Sequence, residues 1–215
     1  MKKAKRGKVK MKNLFIAFEG IDGSGKSTQI ELLAQYLRER GQRVHTTCEP
    51  SGFRTGRLIR EYLRGEDKCD GRVIAALFTA DRLDHILNEQ DGMKAHMDRG
   101  ETVLTDRYYF SSFAYQSADM EMGRIIDANL TARELLKPDL TIFIDITPEC
   151  AMDRISKNRD SAELYENLER LTLTRDSYFE AFERLDDEER VAVVDGEQGI
   201  TEIALKIREI VEKLL

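Results

Sequence analysis

The stretch Gly20-Ile21-Asp22-Gly23-Ser24-Gly25-Lys26-Ser27 meets the pattern G-x-x-x-x-G-K-[ST] at every fixed position. That spacing serves one chemistry, the holding of a nucleoside triphosphate by its phosphates. Glycines allow the backbone to turn its N–H groups inward on phosphate oxygens, and a helix that follows adds its positive N-terminal end. In such a loop Lys26 reaches the terminal phosphates and the Ser27 hydroxyl helps to hold Mg²⁺, with Gly20 to Thr28 forming the cradle. The setting agrees. Leu14 to Phe18 is short and apolar, as a buried parallel strand should be, and Thr28 to Arg40 reads as an amphipathic helix. A glycine-rich turn without a ligand has no need of either flank.

Three further polar clusters fall at the ends of predicted strands. Glu49-Pro50 closes the strand Arg43–Thr47, Asp106-Arg107-Tyr108 follows Thr102–Thr105, and Asp145 with Thr147 ends Leu140–Asp145. Ligand chemistry in a parallel sheet belongs at such carboxyl ends. Asp106 is suited to meet Mg²⁺, directly or through water, and Arg107 to grip a phosphate with two N–H groups. An Asp-Arg dipeptide on its own is as often a surface ion pair.

The elements that must position these groups alternate along the whole chain. Helical spacing is expected over Thr55–Arg64, from Arg72 as far as Asp91-Gly92 or Met97, and from Ser111 to Leu136 with a break near Asp119. Thr147-Pro148 opens another helix, and Leu168, Leu171, Tyr178 and Phe182 keep a helical stripe. Val191–Val194 is the last strand and Thr201–Leu214 the last helix. Strands separated by helices imply an α/β fold of three layers, with five parallel strands covered by helices on both faces.

Composition bounds the rest. With 215 residues, 41% of them hydrophobic, one domain with one good core is expected, spanning 13–215. Residues 1–12 are locally basic and lack the apolar run of a signal peptide, so they read as a disordered leader. A formal net charge of −6 argues against broad nucleic-acid binding, and no apolar run is long enough to span a bilayer. Cys48, Cys69 and Cys150 lack metal-site spacing; they are expected as small buried fillers in a reduced, cytoplasmic setting.

Several separated motifs, in order, resemble the thymidylate kinases, which pass the γ-phosphate of ATP to dTMP. They are Phe18-Glu19-Gly20-Ile21-Asp22-Gly23-Ser24-Gly25-Lys26-Ser27-Thr28, Glu49-Pro50, Leu77-Phe78-Thr79-Ala80-Asp81-Arg82, Asp106-Arg107-Tyr108 with Ala114-Tyr115-Gln116, and Lys137-Pro138-Asp139-Leu140-Thr141. The resemblance covers the chain from Leu14 onward and implies the P-loop kinase version of the fold. It also implies site roles. Phe78 stacks on thymine, Arg82 hydrogen-bonds the base, Arg107 holds the dTMP phosphate, and Tyr115 crowds the place of a ribose 2′-hydroxyl. Glu49, Ser112 and Gln116 complete the acceptor site, and Asp22 contacts the deoxyribose or the metal's water shell. Read without the resemblance, Phe78 and Arg82 are also what a core phenylalanine beside a solvated arginine would look like.

Some thymidylate kinases carry an arginine where this chain has Gly23; those without it supply arginines from a lid. The resemblance makes 154–163 that lid, with Arg159 the leading catalytic donor and Arg154 the second, beside Lys26, Asp22 and Asp106. It also implies a homodimer paired through the helix matching Arg72 to Met97, where Ile74 widens the apolar surface beyond the Val73-Leu77 line. Two segments depart from the family pattern. Arg-Glu-Pro-Gly-Gly-Thr is replaced by Cys48-Glu49-Pro50-Ser51-Gly52-Phe53, with Arg54 or Arg57 as possible substitutes for the lost cation. A glycine-rich continuation is replaced by Ser117-Ala118-Asp119-Met120. Both border the monophosphate pocket. They leave a related nucleoside-monophosphate kinase, or a weakly catalytic nucleotide-binding homologue, as the alternative readings.

Overall fold

The first apolar run forms strand β1 (Phe15–Glu19), buried along its whole length. A strand sends successive side chains to opposite faces, so Phe15 and Ala17 join one core while Leu14, Ile16 and Phe18 join a second. That pattern demands helices on both sides. The computed structural model, which describes residues 12–158 and 168–215, supplies them. After β1 come α1 (Lys26–Glu39), β2 (Val44–Cys48), α2 (Arg54–Leu63), α3 (Gly71–Leu87), α4 (Met93–Asp98) and β3 (Thr102–Asp106). Then follow α5 (Tyr109–Tyr115), a short 3₁₀ turn (Gln116–Ala118), α6 (Met122–Ala128), α7 (Leu130–Leu135), β4 (Leu140–Asp145) and α8 (Pro148–Asn158). The chain continues through α9 (Leu168–Arg184), β5 (Val191–Asp195) and α10 (Ile200–Glu212).

The five strands pair in parallel in the order β2-β3-β1-β4-β5, which is the three-layer α/β architecture expected. One face is closed by α1 and α10 through Ile30, Leu33, Leu37, Ile203, Ile207 and Val211. The other is closed by α3, α5 and α9 through Ile86, Phe110, Phe113, Leu171 and Tyr178. Each large side chain so buried contributes roughly 1.5–3 kcal/mol. Central β1 thus has its carboxyl end fixed from both layers.

Two long helical readings are corrected. The helix from Arg72 stops at Leu87 because the Asn88 side chain accepts the N–H groups of Gln90 (3.2 Å) and Asp91 (3.1 Å), and a new helix starts after Gly92. The stretch 111–136 divides into three helical pieces and a 3₁₀ turn. Beyond the expected break near Asp119, buried Asn129 turns its side chain back onto Ile125 O (2.8 Å) and ends α6. On α3 the expected apolar roles are exchanged: Ile74 is buried, whereas Val73 is 49% and Leu87 50% exposed. Cys48 is exposed rather than a buried filler, and all three cysteines are free.

The basic leader up to residue 11 lies outside the described residues, as do Arg159 and the rest of the expected lid beyond Asn158. No helix among the described residues is long and apolar enough to cross a membrane.

Candidate active site

Phe18 near the end of β1 is paired with Asp106 at the end of β3, so the loop after β1 and the Asp106-Arg107 step meet side by side. The loop needs its glycines at two places. A Cβ on Gly20 (φ 146°) would stand 2.7 Å from Ile144 O, and one on Gly23 (φ 80°) 2.9 Å from Ala151 O of α8. An arginine at the second position, as some thymidylate kinases have, would therefore press into α8. Ile21 and Ser24 are buried, Gly25 precedes the helix with a φ of 92°, and Ser27 and Thr28 face solvent on its first turn.

Lys26 is not the surface group its motif suggests; it is 6% exposed. Its ammonium donates to Gly20 O (3.0 Å), Ile21 O (3.2 Å) and Ser24 Oγ (3.5 Å), lying back against the loop. Burial, and secondarily Arg107, pull its pKa below the usual lysine range. Beside it Ser27 Oγ donates to Asp106 Oδ2 at 2.8 Å. Two hard oxygen donors at that separation suit a Mg²⁺ ion, held directly or through its waters.

Arg107 is the hinge of the site. Among the described residues it is the non-glycine residue with positive φ, 71°, a sparsely populated conformation of the kind that collects at functional sites. The turn aims its guanidinium back over the loop. Nη2 donates to Asp22 Oδ1 (2.5 Å) and to Tyr115 Oη (3.0 Å), and Nη1 to Ser111 Oγ (3.1 Å) and Gly20 O (3.4 Å). Opposite it opens a cleft with about 550 Å³ of empty space, lined by Asp22, Glu49, Pro50, Leu63, Phe78, Arg82, Arg107, Ser111, Ser112, Tyr115 and Gln116. All seven expected acceptor residues are in that lining. Gln116 is buried at its wall, and its Oε1 has no hydrogen-bond partner among the described residues.

Arg82 lines the cleft at only 1% exposure, its guanidinium built into the wall rather than solvated. A guanidinium has five N–H groups, and here protein acceptors take them all. Glu49 Oε2 accepts from Nε (2.9 Å) and Nη2 (2.6 Å), Tyr108 O from Nη2 (3.1 Å), and Ser112 Oγ (3.0 Å) and Asn129 Oδ1 from Nη1. Burial alone would raise the pKa of Glu49; Arg82 and then His85 outweigh it and hold the carboxyl below its usual range. The neighbouring Asp81 accepts Ser51 N and Ser51 Oγ, both at 2.6 Å, so one turn of α3 fixes the whole Glu49–Ser51 segment. Two arginines of α2 brace the segment altered at Cys48: Arg60 donates to Ser51 O (2.6 Å) and Pro50 O, with its Nη2 4.0 Å from Cys48 Sγ, and Arg57 donates to Gly52 O (2.7 Å).

The fourth polar strand end takes no part in the cleft. Asp145 is spent on a bidentate pair with Arg175 (2.6 and 2.8 Å), and Thr147 caps α8. Arg154 bridges Gly23 O (3.4 Å) and Gly196 O (2.8 Å), tying the phosphate loop to the turn after β5. Sequence reasoning passed over Glu19, Ser111, Tyr178, Asn129 and Arg60. Glu19 carried a signal, a lone charge closing an otherwise apolar strand. Tyr178 carried none, because its spacing is that of a core stripe.

Known proteins resemble this chain over almost its whole length. The family model described as thymidylate kinase matches residues 18–211. A thymidylate kinase of Leptospira borgpetersenii is 35% identical over 200 residues, covering 93% of each chain. That of Thermosipho africanus is 37% identical over 206 residues, covering 94% of this chain and 99% of its own. A probable thymidylate kinase of Pyrobaculum aerophilum is 37% identical over 204 residues, covering 94% and 97%.

Proposed function

This chain belongs to the thymidylate kinase family, and from that premise we propose how it transfers the γ-phosphate of ATP to dTMP, giving ADP and dTDP. The observation that carries the reading is the double engagement of Arg107, which touches the phosphate loop at Gly20 and Asp22 and also lines the cleft. A monophosphate drawn to that guanidinium stands next to the loop that holds the donor. The thymine ring lies on the half-buried face of Phe78, and Gln116 Oε1 accepts its N3–H. Tyr115, bonded to Arg107, crowds the sugar. Arg82 acts through Glu49 and Ser112 as the rigid back of the pocket.

On the donor side Lys26 leaves the loop carbonyls for the terminal phosphates. Mg²⁺ on Ser27 and Asp106 would neutralise charge on the transferred group, and the protein's own work is alignment and fixed positive charge, with no covalent intermediate. With Gly23 lacking a side chain, Arg159 remains the proposed transition-state donor on the strength of the resemblance. The Arg154 bridge favours a bracing role for that residue. A coupled assay with ATP against dTMP, dUMP and dGMP tests the reading, with dTMP expected to have the highest kcat/KM. Equal turnover of dTMP and dGMP, or of none, would overturn it.

The working form is a cytoplasmic homodimer. Val73, Ala76, Ala80 and Leu87 make an exposed apolar line along α3, beyond what the core uses. Because Phe78 and Asp81 ride on the same helix, pairing through it steadies the acceptor pocket. Light scattering should give a mass near twice 24.7 kDa, and Val73→Glu with Leu87→Glu should reduce it to one chain. A wild-type monomer with full activity would rule the arrangement out.

A further inference from the structure

Glu19 is the last residue of β1 and the last before the phosphate loop, and it is wholly buried. A buried charge is costly unless hydrogen bonds compensate it. Here they converge on both oxygens. Oε1 accepts the backbone N–H groups of Tyr108 (2.9 Å) and Ser111 (3.1 Å), and Oε2 accepts the hydroxyls of Ser111 (2.6 Å) and Tyr178 (2.8 Å). A carboxylate can accept from four donors at once, whereas a carboxylic acid must point its own O–H at one of them. Burial leaves the Glu19 pKa raised, with Ser111, Arg107 and Tyr178 opposing it in part. The donor geometry is that of the ionised form.

These bonds bracket Arg107. Its own N–H goes to Phe18 O (2.8 Å), and its carbonyl accepts from Thr105 Oγ1 (2.9 Å). The next N–H, that of Tyr108, goes to Glu19. The strained φ of Arg107 is therefore pinned on both sides, and the pin on its C-terminal side is this carboxylate. The side chain is held by the same cluster. Arg107 Nη1 donates to Ser111 Oγ (3.1 Å) and approaches Tyr178 Oη (3.5 Å), the two hydroxyls that face Oε2. With Ser111 N, Glu19 also caps the N-terminal end of α5, which carries Ser112 and Tyr115 into the cleft.

We propose that the Glu19 carboxylate is a positioning residue for the acceptor phosphate, fixing both the backbone turn and the guanidinium of Arg107 through Tyr108 N, Ser111 and Tyr178. The proposal rests on the reading of Arg107 as the monophosphate-holding residue. It assigns to a residue of the donor strand an effect on the acceptor side of the reaction.

Glu19→Gln is the discriminating variant. Its carbonyl keeps the two backbone N–H groups, and its NH₂ faces hydroxyls that can rotate to accept, so the shape survives. The negative charge is lost, and Ser111 and Tyr178 must accept from two competing donors, which loosens Arg107. Calorimetry on the full chain should show dTMP affinity weakened by about 10-fold or more, with ATP affinity changed by less than about 3-fold and KM values moving in the same ratio. Tyr178→Phe should weaken dTMP binding less, and should add little in the Glu19→Gln background. Equal losses for ATP and dTMP, or a lowered melting temperature with unchanged dTMP affinity, would mean a merely structural role and overturn the proposal. The wild-type monophosphate panel separates this from failure of the functional reading. Should another monophosphate be the one accepted, the variant-to-wild-type ratio is measured with it, and only the base assignment falls. Should the wild type bind none, both fall.

Discussion

Lys26→Ala should lower kcat by at least about 100-fold while leaving the fold intact, since removing one fixed charge from a phosphoryl-transfer site costs that much or more. The structure sharpens the reason. Among the described residues the Lys26 ammonium has hydrogen-bonded acceptors only from the loop itself, Gly20 O, Ile21 O and Ser24 Oγ, so its loss uncouples no other described element. Alanine is also the best helix former, and residue 26 opens α1. Melting followed by circular dichroism should shift little, and the coupled assay should show the loss in kcat at saturating dTMP. A variant that keeps more than about a tenth of the wild-type rate would remove Lys26 from the role assigned to it.

Arg82→Met should have the largest effect on stability, a loss of about 3–5 kcal/mol in chemical denaturation. Methionine fills much of the same volume but strands Glu49 as a buried carboxylate and leaves Asn129 Oδ1, Ser112 Oγ and Tyr108 O without their donor. Adding Glu49→Gln should recover part of the loss, which separates the stranded charge from simple packing damage. The pH dependence gives a second reading. In the wild type Glu49 has a folded pKa below its unfolded value, so its contribution is present above the unfolded carboxylate pKa and disappears as pH falls through the folded one. Without Arg82 only His85 still opposes burial, the largest influence, and the folded pKa rises above the unfolded value. Protonation then favours the folded state, and that contribution is lost as pH rises. The stability gap between variant and wild type should narrow as pH is lowered from about 7 to about 5. A constant gap, or a loss below about 1 kcal/mol, would show that the Arg82 network is not holding the pocket together.

Much of this protein was decided locally and could be read from its sequence. The order of strands and helices follows from periodicity, because a buried parallel strand is a short apolar run and a covering helix needs a stripe. The phosphate loop is one contiguous segment whose glycines, lysine and serine are fixed by backbone geometry within eight residues. The Asp106-Arg107 step was legible as a candidate because strand ends are where such a sheet presents ligand groups, whereas Phe78 entered only through the family resemblance. What the letters could not carry was the direction each side chain takes once layers pack. Ile74 and Val73 are adjacent and equally apolar, and only the approach of α3 to the sheet sends one inward and leaves the other 49% exposed. Arg82 looked like a surface cation until Glu49, Ser112, Tyr108 and Asn129, from three separate stretches of chain, closed around it. Glu19, Tyr178 and Arg107 come from β1, α9 and the end of β3, and their cluster exists only because those elements converge at one corner of the sheet. Local spacing specifies which chemistry is present; burial and long-range hydrogen bonding decide which of those groups face a ligand and which hold the others in place.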